Sequence, residues 1–249
     1  MAFDGLRTVR GVVRSLRIYY GDRQHRPAME RLYRRFVRPG DLVFDVGAHV
    51  GDRIGAFRRL GARVVAVEPQ PALVKTLRLL YGRDPDVAIE AVALGSRSGT
   101  IELKLNLDNP TVSTVSADFV AAAAHAPGWE AQSWTKCLPV PLSTVDALIA
   151  RHGVPAFIKI DVEGFEAEVL AGLTRSVAAL SFEFTTIQRD VALAAIARCV
   201  ALDLPHFDAV LGETQSFVHG RSQSAEQIRR WLMDLPDHAN SGDIYAMRG

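Results

Sequence analysis

The stretch LVFDVGAHVGD at residues 42–52 decides the fold of this chain, and it is answered by VVAVEP at residues 64–69. Each stretch is an apolar run of strand-like composition that carries an acid near its end, Asp45 in the first and Glu68 in the second. A helical pattern separates the two runs. This arrangement is typical of a β–loop–α–β unit around an adenosine-containing ligand, and the acid that closes the second strand is placed to accept hydrogen bonds from ribose hydroxyls.

The spacing within the glycine loop indicates which ligand is bound. A dinucleotide site follows G-x-G-x-x-G and seats a pyrophosphate on a helix N-terminus. Here the order is D-x-G-x-x-x-G, with Asp45, Gly47 and Gly51, and His49 stands where the second glycine would be. A leading carboxylate repels a pyrophosphate but suits a cationic ligand. We therefore predict S-adenosylmethionine as the cofactor, with His49 touching it, and we expect no NAD-dependent oxidoreductase.

Apolar runs and helical patterns alternate through most of the chain, which predicts an α/β fold with a doubly wound, mainly parallel sheet. The predicted strands are 42–46, 63–68, 87–94, 156–160, 180–184, 206–211 and 243–248. A helix over 143–152 is expected to begin with Ser143 as its N-cap. The stretch from about 96 to 140 is predicted to be an irregular, lid-like insertion, although Thr100–Leu105 alternates like a half-exposed strand.

Charge is unevenly distributed along the chain. Residues 1–39 hold ten Arg, no Lys and three acids, a net +7 in a chain whose total is +1. Leu6, Val9, Val13, Leu16 and Tyr20 recur at helical spacing in the same segment. We predict a basic helical segment over 1–39 and a catalytic domain over 40–249. The basic helices either cover the domain, with solvated arginines, or bind an anionic membrane or a polyanion; we favour the cover.

Acids also accumulate where later strands end. Asp161 and Glu163 follow the strand 156–160, and Glu183 lies in the next one. Ligands of open α/β sheets bind at the carboxyl ends of the strands, so we predict catalytic roles for Asp161 and Glu163. A carboxylate there can accept a proton from an acceptor hydroxyl. The three acids can instead bind a divalent cation, but we predict metal-free base catalysis.

The insertion offers further side chains to a ligand. Trp129 and Trp134 either stack on an acceptor ring or form a small core of the insertion. The hydroxyls of residues 111–114 are candidates for hydrogen bonds near the ligand. The two cysteines, Cys137 and Cys199, lack metal-ligand spacing and are predicted to be buried thiols.

Several blocks together resemble the FkbM-type family of S-adenosylmethionine-dependent methyltransferases: PGDLVFDVGAHVGD, VVAVEPQP, AVALGSRSGTIEL, PLSTVDAL, FIKIDVEGFEAEVLAGL and SFEF, over roughly residues 38–185. The resemblance implies a class I, Rossmann-like fold with seven strands, the last antiparallel. It implies that Asp45, Gly47 and Gly51 line the methionine end of the cofactor and that Glu68 holds the ribose. It further implies that Glu90 and Ala91 lie near the adenine, and that Asp161 and Glu163 face the reacting centre.

The sequence therefore predicts an O-methyltransferase acting on a hydroxyl of a sugar, polyketide or other small metabolite. The alternatives are a nucleic-acid or lipid-linked glycan methyltransferase and a non-catalytic S-adenosylmethionine-binding module. Near-neutral total charge and the lack of an apolar run of membrane length predict a cytoplasmic protein with a small-molecule or glycan acceptor and neither nucleic acid nor a membrane span. A homodimer stays open as an alternative.

Overall fold

The computed structural model describes residues 2–21 and 25–249, which contain nine α-helices and ten strands. The helices are α1 (Ala2–Gly21), α2 (His25–Tyr33), α3 (Asp52–Arg59), α4 (Pro71–Tyr81), α5 (Ala117–Ala123), α6 (Val145–His152), α7 (Glu166–Ala171), α8 (Arg189–Ala201) and α9 (Ala225–Asp234). The strands are β1 (Leu42–Val46), β2 (Arg63–Val67), β3 (Val87–Glu90), β4 (Ala93–Leu94), β5 (Gly99–Leu105), β6 (Lys136–Ser143), β7 (Phe157–Ile160), β8 (Ala179–Thr185), β9 (His206–Leu211) and β10 (Ser241–Met247).

Seven of these strands form the central sheet, in the order β3-β2-β1-β7-β8-β10-β9. Neighbouring strands from β3 to β8 are parallel, and β10 is antiparallel to both β8 and β9. The strand order reverses between β1 and β7, which in such sheets is the point where ligands bind. The predicted mainly parallel sheet is confirmed.

The central strands are apolar because both faces of the sheet are covered. Along β1, Phe44 and Val46 pack on one side in a core shared with α6, α7 and α8. Val43 points to the other side, where α2 and α3 contribute Tyr33 and Phe57. Successive side chains of a strand alternate between faces, so one buried run supplies both cores. The carboxyl ends of β1, β2 and β7 are thereby held rigidly side by side.

A second, smaller sheet in the order β4-β6-β5 stands beside the central one. The single strand predicted over 87–94 is wrong, because the chain leaves the central sheet after β3 and joins β6 as β4. The stretch 96–140 contains β5, α5 and most of β6, and the half-exposed strand predicted over Thr100–Leu105 is confirmed as β5. The small sheet has its own hydrophobic core, which joins Ala93, Leu103 and Val140.

Two local predictions are corrected by the structure, and it also shows which part of α1 is buried. Ser143 is the last residue of β6, and Thr144 caps α6 instead by accepting a hydrogen bond from the Ala147 amide. Cys199 is buried, whereas Cys137 is exposed, because β6 belongs to the small sheet and turns this side chain to solvent. On α1, Leu6, Val9 and Val13 are exposed, whereas Leu16 and Tyr20 are half-buried.

Candidate active site

The loops that follow β1 and β7 approach each other closely at the centre of the sheet edge. The Asp161 amide donates to the Val46 carbonyl at 2.9 Å. Gly47 has φ +83°, and a Cβ placed on it would lie 1.7 Å from the carbonyl oxygen of Asp161. Only glycine therefore fits at this position. The close approach gives the two loops one common wall.

This edge bounds a cleft of about 770 Å³, part of which is open solvent. Its lining comes from the loops after β1, β2 and β7, from α1, and from the insertion. The lining residues are Tyr19, Val46, Gly47, Ala48, His49, Asp52, Arg53, Val67, Glu68, Pro69, Gln70, Val92, Ala93, Leu94, Leu103, Thr111, Ser113, Thr114, Val115, Asp161, Val162, Glu163 and Phe165. Of the predicted site residues, Gly47, His49, Glu68, Asp161 and Glu163 lie in this cleft.

Glu68 is fixed by backbone donors although it is only 3% exposed. Its Oε2 accepts from the His49 amide at 3.0 Å and its Oε1 from the Gln70 amide at 2.8 Å. Burial raises its pKa to about 8, and the two amide donors oppose that rise. A carboxylate oxygen accepts more than one hydrogen bond, so both oxygens keep capacity for hydroxyl donors.

His49 connects the glycine loop to the elements that cover the cleft. Its backbone is left-handed, with φ +48°, and its ring packs edge-on against Tyr19 with 5.3 Å between centroids. The ring Nε2 lies 3.5 Å from the Thr111 hydroxyl. Burial lowers the pKa of His49 to about 4. The imidazole is therefore neutral near pH 7 and only a weak base, which favours a packing and contact role.

Asp45 and Gly51 lie behind the cleft and do not line it. Asp45 is 1% exposed, and its Oδ2 has no hydrogen-bond partner among the described residues. Burial raises the pKa of Asp45 to about 7, while the charge of Arg53 opposes that rise. Gly51 has φ +84°, and a Cβ on it would meet Tyr81 and Leu77 of α4. Its glycine is thus required by helix packing.

Glu90 and Ala91 also lie outside the cleft lining. Glu90 bonds to His152 Nε2 at 2.7 Å and to Arg151 at 3.2 Å. Ala91 lies at the bend where the chain passes from β3 to β4, and the next three residues, 92–94, line the cleft instead. The cleft lining therefore contains residues 92–94 and does not include the predicted pair.

Asp161 is held by two cations at the end of β7. Lys159, which is 0% exposed, lies 3.2 Å from Asp161 Oδ2 and 2.8 Å from Asp243 Oδ1. Arg53 lies 3.9 Å from the same Asp161 oxygen. Burial works against ionisation of Asp161, but the charges of Lys159 and Arg53 outweigh it and hold its pKa below the usual range. Asp161 is thus an anion on the cleft wall.

Two further carboxyl groups crowd against this anion. One oxygen each of Asp161, Glu163 and Glu183 lies within 4.8 Å of the others. Burial raises the pKa values of Glu163 and Glu183 well above their usual range, and the negative charge of Asp161 adds to the effect. Glu183 Oε2 is buried and has no hydrogen-bond partner among the described residues. This acidic cluster can hold protons or, as three oxygen ligands, a hard cation.

The loop that carries Glu163 is strained and braced. Glu163 has φ +57°, and its carbonyl accepts a 2.7 Å hydrogen bond from the Thr114 hydroxyl. Gly164 follows with φ +83°, where a Cβ would lie 2.3 Å from Gln188 Oε1. Non-glycine residues at positive φ cost free energy and occur where surrounding contacts enforce them. The insertion and the 3₁₀ turn Thr186–Gln188 therefore hold the backbone at Glu163 and Gly164 in this conformation.

The structure resolves the alternatives for the insertion. Phe119 packs edge-on with Trp129 and Trp134, at centroid distances of 5.3 and 6.2 Å, and neither tryptophan lines the cleft. They form a small core of the insertion. Thr111, Ser113 and Thr114 do line the cleft, but the Thr114 hydroxyl is already committed to the Glu163 carbonyl.

Three site residues were missed by sequence reasoning: Tyr19, Arg53 and Lys159. Lys159 carried a signal, because a lysine inside the apolar run FIKI needs a buried partner. Arg53 follows the glycine loop, but its contacts with Asp161 and with Glu213, at 3.3 Å, join distant parts of the chain. Tyr19 had no signal, because its contact depends on where α1 packs.

The strand order, the final antiparallel β10 and the acid-ended loops at the reversal point define a class I, Rossmann-like methyltransferase fold. The family model described as "Methyltransferase FkbM domain" matches residues 45–239, which is well over half of the chain. The protein therefore belongs to the FkbM family of methyltransferases, and its methyl donor is S-adenosylmethionine.

Individual relatives are more distant. A curated relative, the hexuronic acid methyltransferase AglP of Haloferax volcanii, is 26% identical over 188 residues, which cover 74% of this chain and 72% of that protein. Among solved structures, the C-terminal domain of precorrin-6Y C5,15-methyltransferase from Rhodobacter capsulatus matches with a TM-score of 0.45 and 13% identity, covering 89% of each chain. Fibrillarin of Aeropyrum pernix matches with a TM-score of 0.44 and 12% identity, covering 85% of this chain and 68% of that one.

The residues of the cleft fit this cofactor. Glu68 presents a carboxyl group fixed by two backbone amides, to which ribose hydroxyls could donate. The ionised Asp161 supplies negative potential beside the loop, which suits a ligand with an ammonium and a sulfonium. The apolar residues 92–94, Leu103 and Phe165 offer surface for a purine ring.

Proposed function

We propose that this protein is an O-methyltransferase that modifies a hydroxyl group of a sugar, polyketide or other small metabolite. The observation that carries the proposal is the acidic cluster of Asp161, Glu163 and Glu183 on and beside the cleft wall. A neutral hydroxyl is a weak nucleophile and must lose its proton as the methyl group is transferred. The cluster offers proton acceptors at the edge of the sheet where the cofactor loop ends.

The negative charge around the acidic cluster favours a hydroxyl over a carboxylate as the methyl acceptor. Four acidic side chains lie in or against this loop: Asp161, Glu163, Glu166 and Glu183. Their mutual repulsion contributes to the raised pKa values of Glu163 and Glu183. A carboxylate acceptor would add another negative charge, whereas a hydroxyl donates a hydrogen bond to the cluster. Lys159 and Arg53 are already engaged with acids.

In this mechanism, S-adenosylmethionine supplies an electrophilic methyl group on a sulfonium. Glu68 would hold the ribose, and the acceptor would bind beside the glycine loop and Asp161, which must align its oxygen with the methyl group. Asp161 stays ionised because of Lys159 and Arg53, so it orients the hydroxyl by accepting its hydrogen bond. Glu163 takes the proton in those molecules in which its carboxyl group is ionised, because burial and the charge of Asp161 raise its pKa and so make the ionised form the stronger base.

The sugar-modifying relative supports a sugar-type acceptor, since its name describes methylation of a hexuronic acid. That relative's acceptor class contains both hydroxyl and carboxyl oxygens, and the acidic cluster argues for the hydroxyl in this chain.

The test is transfer of a labelled methyl group from S-adenosylmethionine to a panel of sugars, polyols, phenols, uronic acids and amines. We expect label in a hydroxyl-bearing acceptor and a product that withstands mild alkali, as an ether does. A uronic acid whose label is released by alkali would indicate a methyl ester and contradict the hydroxyl assignment. Label only in amines would contradict O-methylation altogether.

A further inference from the structure

Helix α1 presents an apolar stripe to solvent. Leu6 and Val9 are each 59% exposed and Val13 is 40% exposed. Because residues three and four apart share a helix face, these three side chains form one row. Val9 and Val13 also line a shallow groove between α1 and α4. Such a row of aliphatic side chains is unusual on the free surface of an otherwise ordinary globular domain.

A row of cations runs beside this stripe. Arg10, Arg14 and Arg17 are exposed and follow the same helical spacing one step around the helix. Nearby acids are already paired: Asp108 bonds to Arg7, and Asp4 lies 3.5 Å from Lys136. We define the outer face of α1 as Leu6, Val9 and Val13 together with Arg10, Arg14 and Arg17. It is apolar along one line and positively charged along the next.

The inner face of α1 is fixed to the catalytic domain and therefore leaves the outer face free. A Cβ on Gly11 would lie 2.7 Å from the Leu107 carbonyl, so the helix packs tightly on the insertion. Tyr20 donates from its hydroxyl to the Val50 carbonyl of the glycine loop at 3.1 Å, and Tyr19 lines the cleft. The apolar stripe is thus not needed to hold the helix in place.

We propose that the outer face of α1 docks on an anionic lipid bilayer. Amphipathic helices with basic residues beside an aliphatic row lie in the plane of the bilayer interface, where the cations meet anionic headgroups and the aliphatic row enters the acyl boundary. No helix among the described residues is long and apolar enough to cross a membrane. With four arginines, α1 fits an orientation along the surface.

Two other occupants fit this face less well. A twofold dimer through it would bring the same arginines of both copies together, because an isologous interface uses one surface twice. A nucleic acid would find cations but no aromatic side chain for stacking among the six residues of the face. Lipid is the partner that uses both rows.

Docking has a consequence for the cleft. Tyr19 lies six residues beyond Val13 on the same helix, a distance of about 9 Å along the axis. The bilayer surface would therefore be within one or two turns of the cleft wall. This inference is independent of the acceptor proposed above, because binding to lipid is measured without turnover.

The experiment is flotation of the full chain with vesicles of phosphatidylcholine alone or of an equimolar mixture with phosphatidylglycerol. We expect the protein to float with the mixed vesicles and to remain behind with phosphatidylcholine. Raising the ionic strength to about 1 M, where the Debye length is about 3 Å, should release much of it. The combined change Arg10→Gln, Arg14→Gln and Arg17→Gln should weaken partitioning about 100-fold, since each cation contributes about five-fold.

The combined change Leu6→Ser, Val9→Ser and Val13→Ser should also abolish flotation. Matched controls are Val154→Ser, Val200→Ser and Met233→Ser, which alter residues exposed elsewhere by 55%, 45% and 54%, and Arg97→Gln, Arg175→Gln and Arg229→Gln. All variants should keep S-adenosylhomocysteine binding, which verifies folding. The proposal is overturned if the mixed vesicles do not bind the protein or if the controls lose binding equally. It is also overturned if light scattering finds a dimer that the Ser changes dissociate.

Discussion

At the cofactor end of the cleft, both oxygens of Glu68 accept backbone amide hydrogens, whereas at the opposite end Glu163 and Glu183 crowd against the Asp161 anion. Glu68 is held at fixed geometry by the two loops that follow β1 and β2. Glu183 leaves one buried oxygen without a partner among the described residues, and Glu163 sits in a left-handed conformation. The first end is built to bind a ligand of constant shape. The second is an acidic cluster whose repulsion an acceptor hydroxyl or a cation would relieve in the proposed function.

The largest expected effect is on turnover, through a change in the acidic cluster. Asp161→Asn should lower turnover about 10²–10⁴-fold, the range for a group that assists proton transfer, while S-adenosylhomocysteine still binds. Steady-state kinetics with the acceptor identified above measures it, and Asp234→Asn on the exposed end of α9 is the matched control. Normal turnover would remove Asp161 from the reaction and leave Glu163 and Glu183 as candidates. Loss of wild-type activity on adding a chelator would favour a cation held by the acidic cluster.

Lys159, the buried cation beside Asp161, should stabilise the folded protein. Lys159→Met leaves the buried Asp243 without its cation and removes one of the two cations beside Asp161, so the free energy of unfolding should fall by about 3–5 kcal/mol. Adding Asp243→Asn should recover part of that loss, as a double-mutant cycle in urea would measure. Arg230→Met is the control, because its pair with Glu226 is exposed and contributes about 1 kcal/mol or less. Equal losses of unfolding free energy in Lys159→Met and Arg230→Met would contradict a buried network.

Cofactor affinity should depend on pH through Glu68. Burial raises the pKa of its carboxyl group to about 8, so below that pH the free protein holds a proton there. Ribose hydroxyls donate to the ionised form, and affinity should therefore increase as pH rises toward about 8, by up to about tenfold per unit, and then level off. Calorimetry with S-adenosylhomocysteine measures it. Glu68→Gln should flatten the dependence, and an unchanged slope would assign it to another group such as Asp45.

The smallest effect concerns the insertion. Residues 107–140 should exchange amide hydrogens faster than β1 and β7 in the free protein and become more protected on cofactor binding, because a covering segment excludes water from the transfer. The Thr114–Glu163 hydrogen bond joins this segment to the acidic cluster. Hydrogen exchange with and without S-adenosylhomocysteine is the measurement. Equal and strong protection in both states would contradict the role of a lid.

The buried parallel strands were predictable because short apolar runs such as residues 42–46 and 156–160 are typical of strands that are covered on both faces. The split of the predicted strand 87–94 into β3 and β4 was not predictable, because apolar residues continue through the bend and are suited to both sheets. Asp161, Glu163 and Glu68 were found because acids at strand ends share one edge. The positions of Gly51 and Glu90 depend instead on packing with α4 and α6, which local spacing does not encode.

The exposed apolar residues of α1 also show a limit of prediction from local spacing. Helical periodicity correctly predicted a helix but not which face is buried. Gly11 and Ser15 pack inward, because small residues allow close approach to the insertion. Periodicity of apolar residues identifies a core-facing side only when burial is the reason for the pattern.

The most direct test of the division between the two ends is a pair of calorimetric titrations with S-adenosylhomocysteine, on Glu68→Ala and on Asp161→Asn. The account predicts that Glu68→Ala weakens binding by about 1–3 kcal/mol, the range for a lost buried hydrogen-bond partner, and that Asp161→Asn binds nearly as the wild type does. Equal losses in both variants, or full affinity in Glu68→Ala, would contradict it.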